Sequence, residues 1–391
     1  MQFGLTDEQQ AVRETVREFA ENEIEPVAQE YNRNHEYPRE IVDQANEMGL
    51  TGSLLPVEYG GTDMGYLTEV VITEELCRVD PAIGVAIGSW SAAANLIVDH
   101  GTEKQKEAFV QPTAEGEMTG GVAITEPQGG SDVTGIETTA EQDGDEYVIN
   151  GTKLWITNGG IADYTIVFAR TGPRNEDDPH QGISAFIVDT DQEGYSTEDS
   201  DLMGLHAENN TTVYLDDARV AEWRMIGEEG EAFLHLMDWF NKNRAKSVGA
   251  FGIGLAQGAF DKAFSYARER EQFDETLTDF QGLQWKFADM SIQIESARQL
   301  TYRTASLLDE GVVSPKHCAL AKVKASETAR EVANEALQLH GGHGYSKDYR
   351  IEQYYRDAKI FEIFEGTNEI CRNIVAKELI KDDGLIEYRN H

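Results

Sequence analysis

The order of patterns along the chain predicts an α+β multidomain fold. An N-terminal helical domain over residues 1–120 precedes a central β-barrel or sandwich over 121–227 and a C-terminal four-helix bundle over 228–391. Three observations carry this. Apolar residues recur at helical spacing before residue 120, short strand-like runs without an intervening helix continue to about residue 220, and long helical patterns resume past Gly227. A length of 391 residues allows two or three such units sharing at least one large core.

The first helix is expected to start at Thr6-Asp-Glu-Gln9, a capping box ahead of Val12, Val16, Phe19 and Ile24. Turn signals at Met48-Gly49, Pro56 and Gly60-Gly61 separate further helices, and Thr68 to Val79 and Ala82 to Val98 are apolar enough for burial. Strand-like runs follow at 147–151, 153–157, 164–168, 183–188 and 212–215, with Asn150-Gly151 and Asn158-Gly159 as hairpin signals between them. Long helices are expected near 229–271, 279–310 and 315–340, and a last one from Thr367. Gly249, Gly252, Gly254 and Gly258 fall within one of these, and since each costs roughly 0.8–1 kcal/mol against Ala, they predict close backbone packing.

Lys and Arg number 33 and Asp and Glu 71, a net charge of −38 spread along the whole chain. Such a surface repels phosphate backbones and anionic lipid, which argues against nucleic-acid and membrane partners. With 40% apolar residues, 15 Phe and 15 Tyr, the acidity decorates a folded protein and does not mark a disordered one. It suits a halophilic setting, where counterions screen self-repulsion; ordinary acidic solubility is the other reading. Cys77, Cys318 and Cys371 have no metal-like or paired spacing, and the polar amino terminus lacks an apolar leader core. No uninterrupted apolar run nears the length of a membrane span, so a cytoplasmic, soluble protein is expected.

Four segments could carry chemistry. In residues 123–132, glycines allow close approach of a ligand to the backbone beside the hydroxyls of Thr125 and Ser131; an ordinary glycine turn is the alternative. Trp155 and Thr157, two apart on a strand, place a flat apolar ring beside a hydroxyl, suited to a planar cofactor or to a core. Gln338, Gly341 and Gly342 form either a backbone cradle for a diphosphate or a glycine helix stop, and His340 and His343 lack the companions of a metal site, so no metal is expected. Glu365, between Phe364 and Gly366, would be a desolvated general base, or else a solvated loop carboxylate.

Taken together, Thr125-Glu-Pro-x-x-Gly-Ser-Asp132, Trp155-Ile-Thr-Asn158, Arg270-x-Gln-Phe273, Gln338-x-x-Gly-Gly342, Arg356-Asp-Ala-Lys359 and Glu365-Gly-Thr367 resemble, over essentially the whole chain, the flavin-dependent acyl-CoA dehydrogenases. The resemblance implies FAD as cofactor, extended between the β domain and the last helical domain, and a homotetramer built as a dimer of dimers. Ile124, Thr125, Gly130, Ser131, Trp155, Ile156 and Thr157 would surround the flavin ring, with Thr157 near N5. Arg270, Gln272, Phe273, Phe280 and Gln281 would meet the FAD of another subunit, whose diphosphate reaches Gln338, Gly341 and Gly342; Thr367 and Glu369 would also lie close to FAD. Glu365 would remove the α-proton of an acyl-CoA thioester while the β-hydrogen leaves as hydride to the flavin, giving a trans-2-enoyl-CoA and passing electrons to an electron-transfer flavoprotein. Its backbone amide would bind the thioester carbonyl. Ser131, Asn241, Arg244, Phe364 and Gly366 would contact substrate.

The chain departs from the family pattern in places. Phe364 stands where Tyr is frequent, Gln353 where a basic residue is common, and Arg350 where proline is frequent. Arg244 lies one residue further from Gln257 than the family spacing, and a single wide helical turn between 244 and 254 is expected to absorb the surplus and keep Arg244 on the pocket side. Two alternatives are an oxygen-reactive flavin oxidase or monooxygenase of the same fold and a non-catalytic acyl-CoA or flavin-binding protein.

Overall fold

The computed structural model describes residues 4–175 and 177–381, so the expected domain ends at 1–3 and 382–391 lie outside the described residues. Thr6 caps the first helix, Asp7–Phe19, through the capping box read from the sequence, with Gln9 as the reciprocal partner. Helices Tyr66–Val79, Pro81–Gly88 and Ala92–His100 form the buried part of the N-terminal unit. The stretch Pro81–His100 is long and apolar enough to cross a membrane by length and composition, contrary to the sequence reading, but 72% of its 18-residue apolar window is buried inside the fold. It is broken at Ser89–Ser91, where Trp90 turns inward and donates Nε1–H to the Thr113 carbonyl at 3.2 Å.

The middle unit is an eight-stranded mixed sheet: β1 (Gly120–Ala123), β2 (Thr139–Asp143), β3 (Glu146–Thr157), β4 (Tyr164–Arg170), β5 (Ile183–Asp189), β6 (Tyr195–Asp199), β7 (Asn210–Ala221) and β8 (Met225–Ile226). The path runs β6-β7-β3-β2-β4-β5-β8, with β1 parallel to β4. The two halves meet at one residue, since Thr139 of β2 pairs with Asn150 of β3 and Arg170 of β4. They then fold over a shared core of Ile149, Ile156, Val167, Phe186, Val188 and Val213. Side chains on the other face of β4 and β5, Tyr164, Ile166, Phe168, Ile183 and Ile187, pack on the helices, so both strands are buried on both faces.

The two hairpin expectations fail. Asn150-Gly151 lies inside the single strand β3, at a register shift where the extended Gly151 faces Thr138 too closely for a side chain; the hairpin turn is instead at Gly144. Asn158-Gly159 is a turn, with Asn158 at φ 64°, but it leads to β4, which pairs with β1, β2 and β5 and not with β3.

The C-terminal unit consists of Ala232–Arg244 continuing through the π-helical turn Ala245–Gly249 into Ala250–Glu269, then Gln281–Asp309, Pro315–His340 and Asn368–Lys381. A short helix, Ile351–Ala358, was not expected. The glycine expectation holds: a Cβ on Gly252 would sit 2.8 Å from the Ala325 backbone, and one on Gly258 would strike the Arg78 carbonyl. Arg350 and Gln353 explain each other. Both donate to Oδ2 of buried Asp80 at 2.8 Å, so a positive charge one helical turn upstream serves that carboxylate. Arg350 adopts φ 55° to do so.

Candidate active site

Glu365 lies in the loop between the helical turn Ile360–Glu362 and the helix Asn368–Lys381. It holds φ 55° and Gly366 φ 88°, two successive left-handed residues that turn the chain sharply. A non-glycine residue in that region is strained, and surrounding contacts hold it there. Arg244 donates Nε–H to the Glu365 carbonyl at 3.1 Å and Nη1–H to Asn241 Oδ1 at 2.8 Å. The π-helical turn Ala245–Gly249 absorbs the extra residue as expected, and Arg244, 3% exposed, faces Glu365. The structure therefore brings Asn241, Arg244, Phe364, Glu365 and Gly366 together; Phe364 stacks on Phe361 with ring centroids 5.7 Å apart.

The wide turn also delivers a residue that the sequence reading missed. Ser247 Oγ lies 2.5 Å from Glu365 Oε1 and 2.7 Å from the Asn243 carbonyl, so its single hydroxyl hydrogen serves one acceptor at a time. Glu365 Oε2 is shielded from solvent and has no hydrogen-bond partner. Burial raises the Glu365 pKa, while the Ser247 hydrogen bond and the charges of Arg244, Lys322 and Lys246 pull it partly back. The result is a carboxylate made more basic than usual, with one oxygen held and one free. Among the described residues the Glu365 N–H has no backbone acceptor.

A second cluster lies in the β domain. Glu126 and Lys153 form a buried ion pair at 2.8 Å, and Glu126 also accepts from the backbone N–H groups of Glu137 at 2.7 Å and Thr138 at 3.0 Å. Lys153 reaches the Ile124 carbonyl at 3.1 Å, and Leu154 N–H donates to the Thr125 carbonyl at 2.8 Å. These bonds lash the loop carrying Ile124, Thr125, Gly130 and Ser131 to β3. A bulge in β3 between Lys153 and Ile156 puts Trp155 at φ 61° with its ring 57% exposed, while Ile156 is buried. Thr157 Oγ lies 2.5 Å from Glu208 Oε1 across 51 residues of sequence, a partner no local signal announces; burial pushes the Glu208 pKa up to about 7.

The other candidates face outward in the single chain. Arg270, Gln272, Gln281 and Gln338 are exposed, Phe280 is half-buried, and Phe273 is 90% exposed on a small hairpin. Gly341, at φ 59°, and Gly342 have open space where side chains would be, leaving their backbone accessible. Thr367 Oγ1 accepts from Ile370 N–H at 3.3 Å at the start of the last helix, where Glu369 is exposed. His340 and His343 turn to Ala336 O at 2.7 Å and Tyr266 OH at 2.8 Å. Asp99, His100 and Asp238 cluster like metal ligands, but Lys242 Nζ sits 2.9 Å from Asp99 and 2.8 Å from Asp238 and already neutralises them. A charged cleft of about 520 Å³ lined by Arg13, Arg17, Glu74 and Tyr302 contains none of the candidate residues.

Comparison with known proteins agrees with this geometry. The N-terminal, middle and C-terminal domain families of acyl-CoA dehydrogenase match residues 6–117, 121–218 and 233–380. The short-chain specific acyl-CoA dehydrogenase of Clostridium acetobutylicum is 40% identical over 97% of this chain and 100% of its own length. A solved structure described as the electron transferring flavoprotein of Acidaminococcus fermentans, in work on electron bifurcation, superposes with a TM-score of 0.93 at 38% identity, covering 97% of this chain and 99% of that one. A glutaryl-CoA dehydrogenase from Mycobacterium smegmatis in complex with FADH2 superposes at 0.89 with 26% identity, covering 96% and 95%. The chain belongs to the acyl-CoA dehydrogenase family.

Proposed function

We propose that this chain oxidises an acyl-CoA thioester to the trans-2-enoyl-CoA, with Glu365 as the general base and an electron-transfer flavoprotein as electron acceptor. The observation that carries the reading is Glu365 itself: a carboxylate with a raised pKa, one oxygen fixed by Ser247 and the other buried without a partner. The residues fit FAD, because the exposed Trp155 ring, the adjacent Thr157 and the open backbone at Gly341 and Gly342 are surfaces a packed core would have closed. FAD, when bound, accepts the electron pair that leaves with the β-hydrogen.

The protein's own groups do the rest. Glu365 Oε2 takes the α-proton, and desolvation makes it a stronger base than a surface carboxylate. When Oε2 takes the proton, Oε1 remains an acceptor, so the Ser247 hydroxyl can stay on it or turn its hydrogen to the Asn243 carbonyl, and both states are accommodated. The unengaged Glu365 N–H is available to the thioester oxygen, where negative charge develops. Arg244 keeps the strained loop in register through the Glu365 carbonyl. Exposed Phe273, Trp285 and Ile292 on the helical unit support a homotetramer, and three buried, unpaired cysteines support a reducing, cytoplasmic setting.

Anaerobic addition of a saturated acyl-CoA to the holoenzyme should bleach the flavin and yield the trans-2-enoyl-CoA, and an electron-transfer flavoprotein should reoxidise it faster than air does. Rapid reoxidation by oxygen alone would make the protein an oxidase.

A further inference from the structure

Between Glu365 and the helix Tyr66–Val79 the structure holds a surplus of buried positive charge that the reaction above does not use. Lys246, the second residue of the π-helical turn, is 5% exposed and makes no hydrogen bond or ion pair among the described residues. Its ammonium lies within electrostatic reach of Glu69 and Glu365, and Asp99, the other acid near it, already pairs with Lys242. Glu69, itself buried, accepts from Ser53 and from Thr73. Buried Lys322, also within electrostatic reach of Glu365, donates to Asn368 Oδ1 at 2.9 Å, and Arg244 is occupied by a carbonyl and an amide oxygen.

Among the described residues none of these three cations has a carboxylate within ion-pair distance; Glu362, also near Lys322, pairs with Arg330 and Lys359, which leaves Arg244, Lys246 and Lys322 facing Glu69 and Glu365, and burial lowers the pKa of both lysines. In a chain with 33 basic and 71 acidic residues, a buried cationic excess does not follow from composition. An unpaired buried ammonium is costly, and a bound carboxylate with a charge-assisted hydrogen bond would remove that cost. Lys246 shares the π-helical turn with Ser247, which contacts the base, and its ammonium is within electrostatic reach of Glu365.

We propose that Lys246 recognises a carboxylate on the acyl group, and that the substrates are CoA half-thioesters of dicarboxylic acids. This rests on the dehydrogenase reading above. The redox step is unchanged: the α-proton goes to Glu365, the β-hydrogen leaves with its electron pair to the flavin, a carbon–carbon double bond forms, and the distal carboxylate is a handle that does not react.

The test compares glutaryl-CoA with pentanoyl-CoA, which share a five-carbon acyl chain. Wild-type holoenzyme should favour glutaryl-CoA in kcat/KM by about tenfold or more, and Lys246→Met should lower that ratio roughly 10- to 100-fold, mainly through KM, as expected for loss of a hydrogen bond to a charged group. Calorimetric binding of glutaryl-CoA to Glu365→Gln holoenzyme should weaken by a similar factor when Lys246→Met is added. Wild-type preference for pentanoyl-CoA would overturn the proposal without needing any folded variant. An equal loss for both thioesters in Lys246→Met would overturn it too, leaving Lys246 as a modulator of Glu365. Flavin reduction persisting in Glu365→Gln would instead remove the base assignment, while the binding comparison still decides the role of Lys246.

Discussion

Replacing Ser247 by Ala removes the one hydrogen bond that the Glu365 carboxylate makes among the described residues and leaves it buried without any. A hydrogen bond to a charged group contributes about 1.5–3 kcal/mol, and about 1.36 kcal/mol corresponds to one pKa unit, so the Glu365 pKa should rise a further ~1–2 units. The sign follows from the chemistry of the step. The base acts in its ionised form, so a higher pKa displaces the acid limb of the rate profile upward. Below that limb the variant should be about 10- to 100-fold slower than wild type, and at high pH the rate should recover. Stopped-flow flavin reduction by a saturated acyl-CoA, measured as a function of pH, reads this directly, and Ser247→Thr, which keeps a hydroxyl, should restore the limb. An unmoved or downshifted limb would refute the reasoning. So would a rate deficit that persists at every pH, which would mean that Ser247 acts on the shape of the helix and not on the proton affinity of Glu365.

Lys153→Met leaves Glu126 charged and buried without its cation, which should cost about 3–5 kcal/mol and loosen the loop at 124–131; thermal unfolding and flavin content of the purified protein check it. Glu208 has a folded pKa raised from 4.5 to about 7, so its stability contribution is fully present below 4.5 and is lost as pH rises through about 7. Glu208→Gln, which cannot ionise, should therefore flatten the fall in Tm between those pH values. With −38 charges per chain, lowering KCl from molar to about 0.05 M should dissociate the assembly before the subunits unfold, because the Debye length then exceeds ~10 Å; sedimentation against salt is the measurement.

Much of the fold was legible because it depends on local patterns. The capping box at Thr6, the long amphipathic helices and the crowded glycines at 252 and 258 each act through near neighbours or a repeated spacing. The hairpin signals misled because Gly151 serves a close approach to Thr138, the residue just before β2, a demand that resembles a turn in sequence. Of the site, Glu365 and Arg244 stood out by motif, and the surplus residue upstream of Gln257 foretold the π-helical turn. What that turn delivers did not show. Ser247 reaches Glu365 across 118 residues, Glu208 reaches Thr157 across 51, and Lys246 becomes informative only once its burial is known. Phe273 and Gln281 are exposed in the single chain, so their expected role needs a neighbouring subunit.

The central claim is that Glu365 is the base, and Glu365→Gln tests it most directly because the amide keeps the shape and cannot take the proton. Purified with its FAD bound and mixed anaerobically with a saturated acyl-CoA that the wild type oxidises, the variant should reduce its flavin roughly 10²- to 10⁴-fold more slowly or not at all. Reduction within a few-fold of wild type, with full flavin occupancy, would contradict the account.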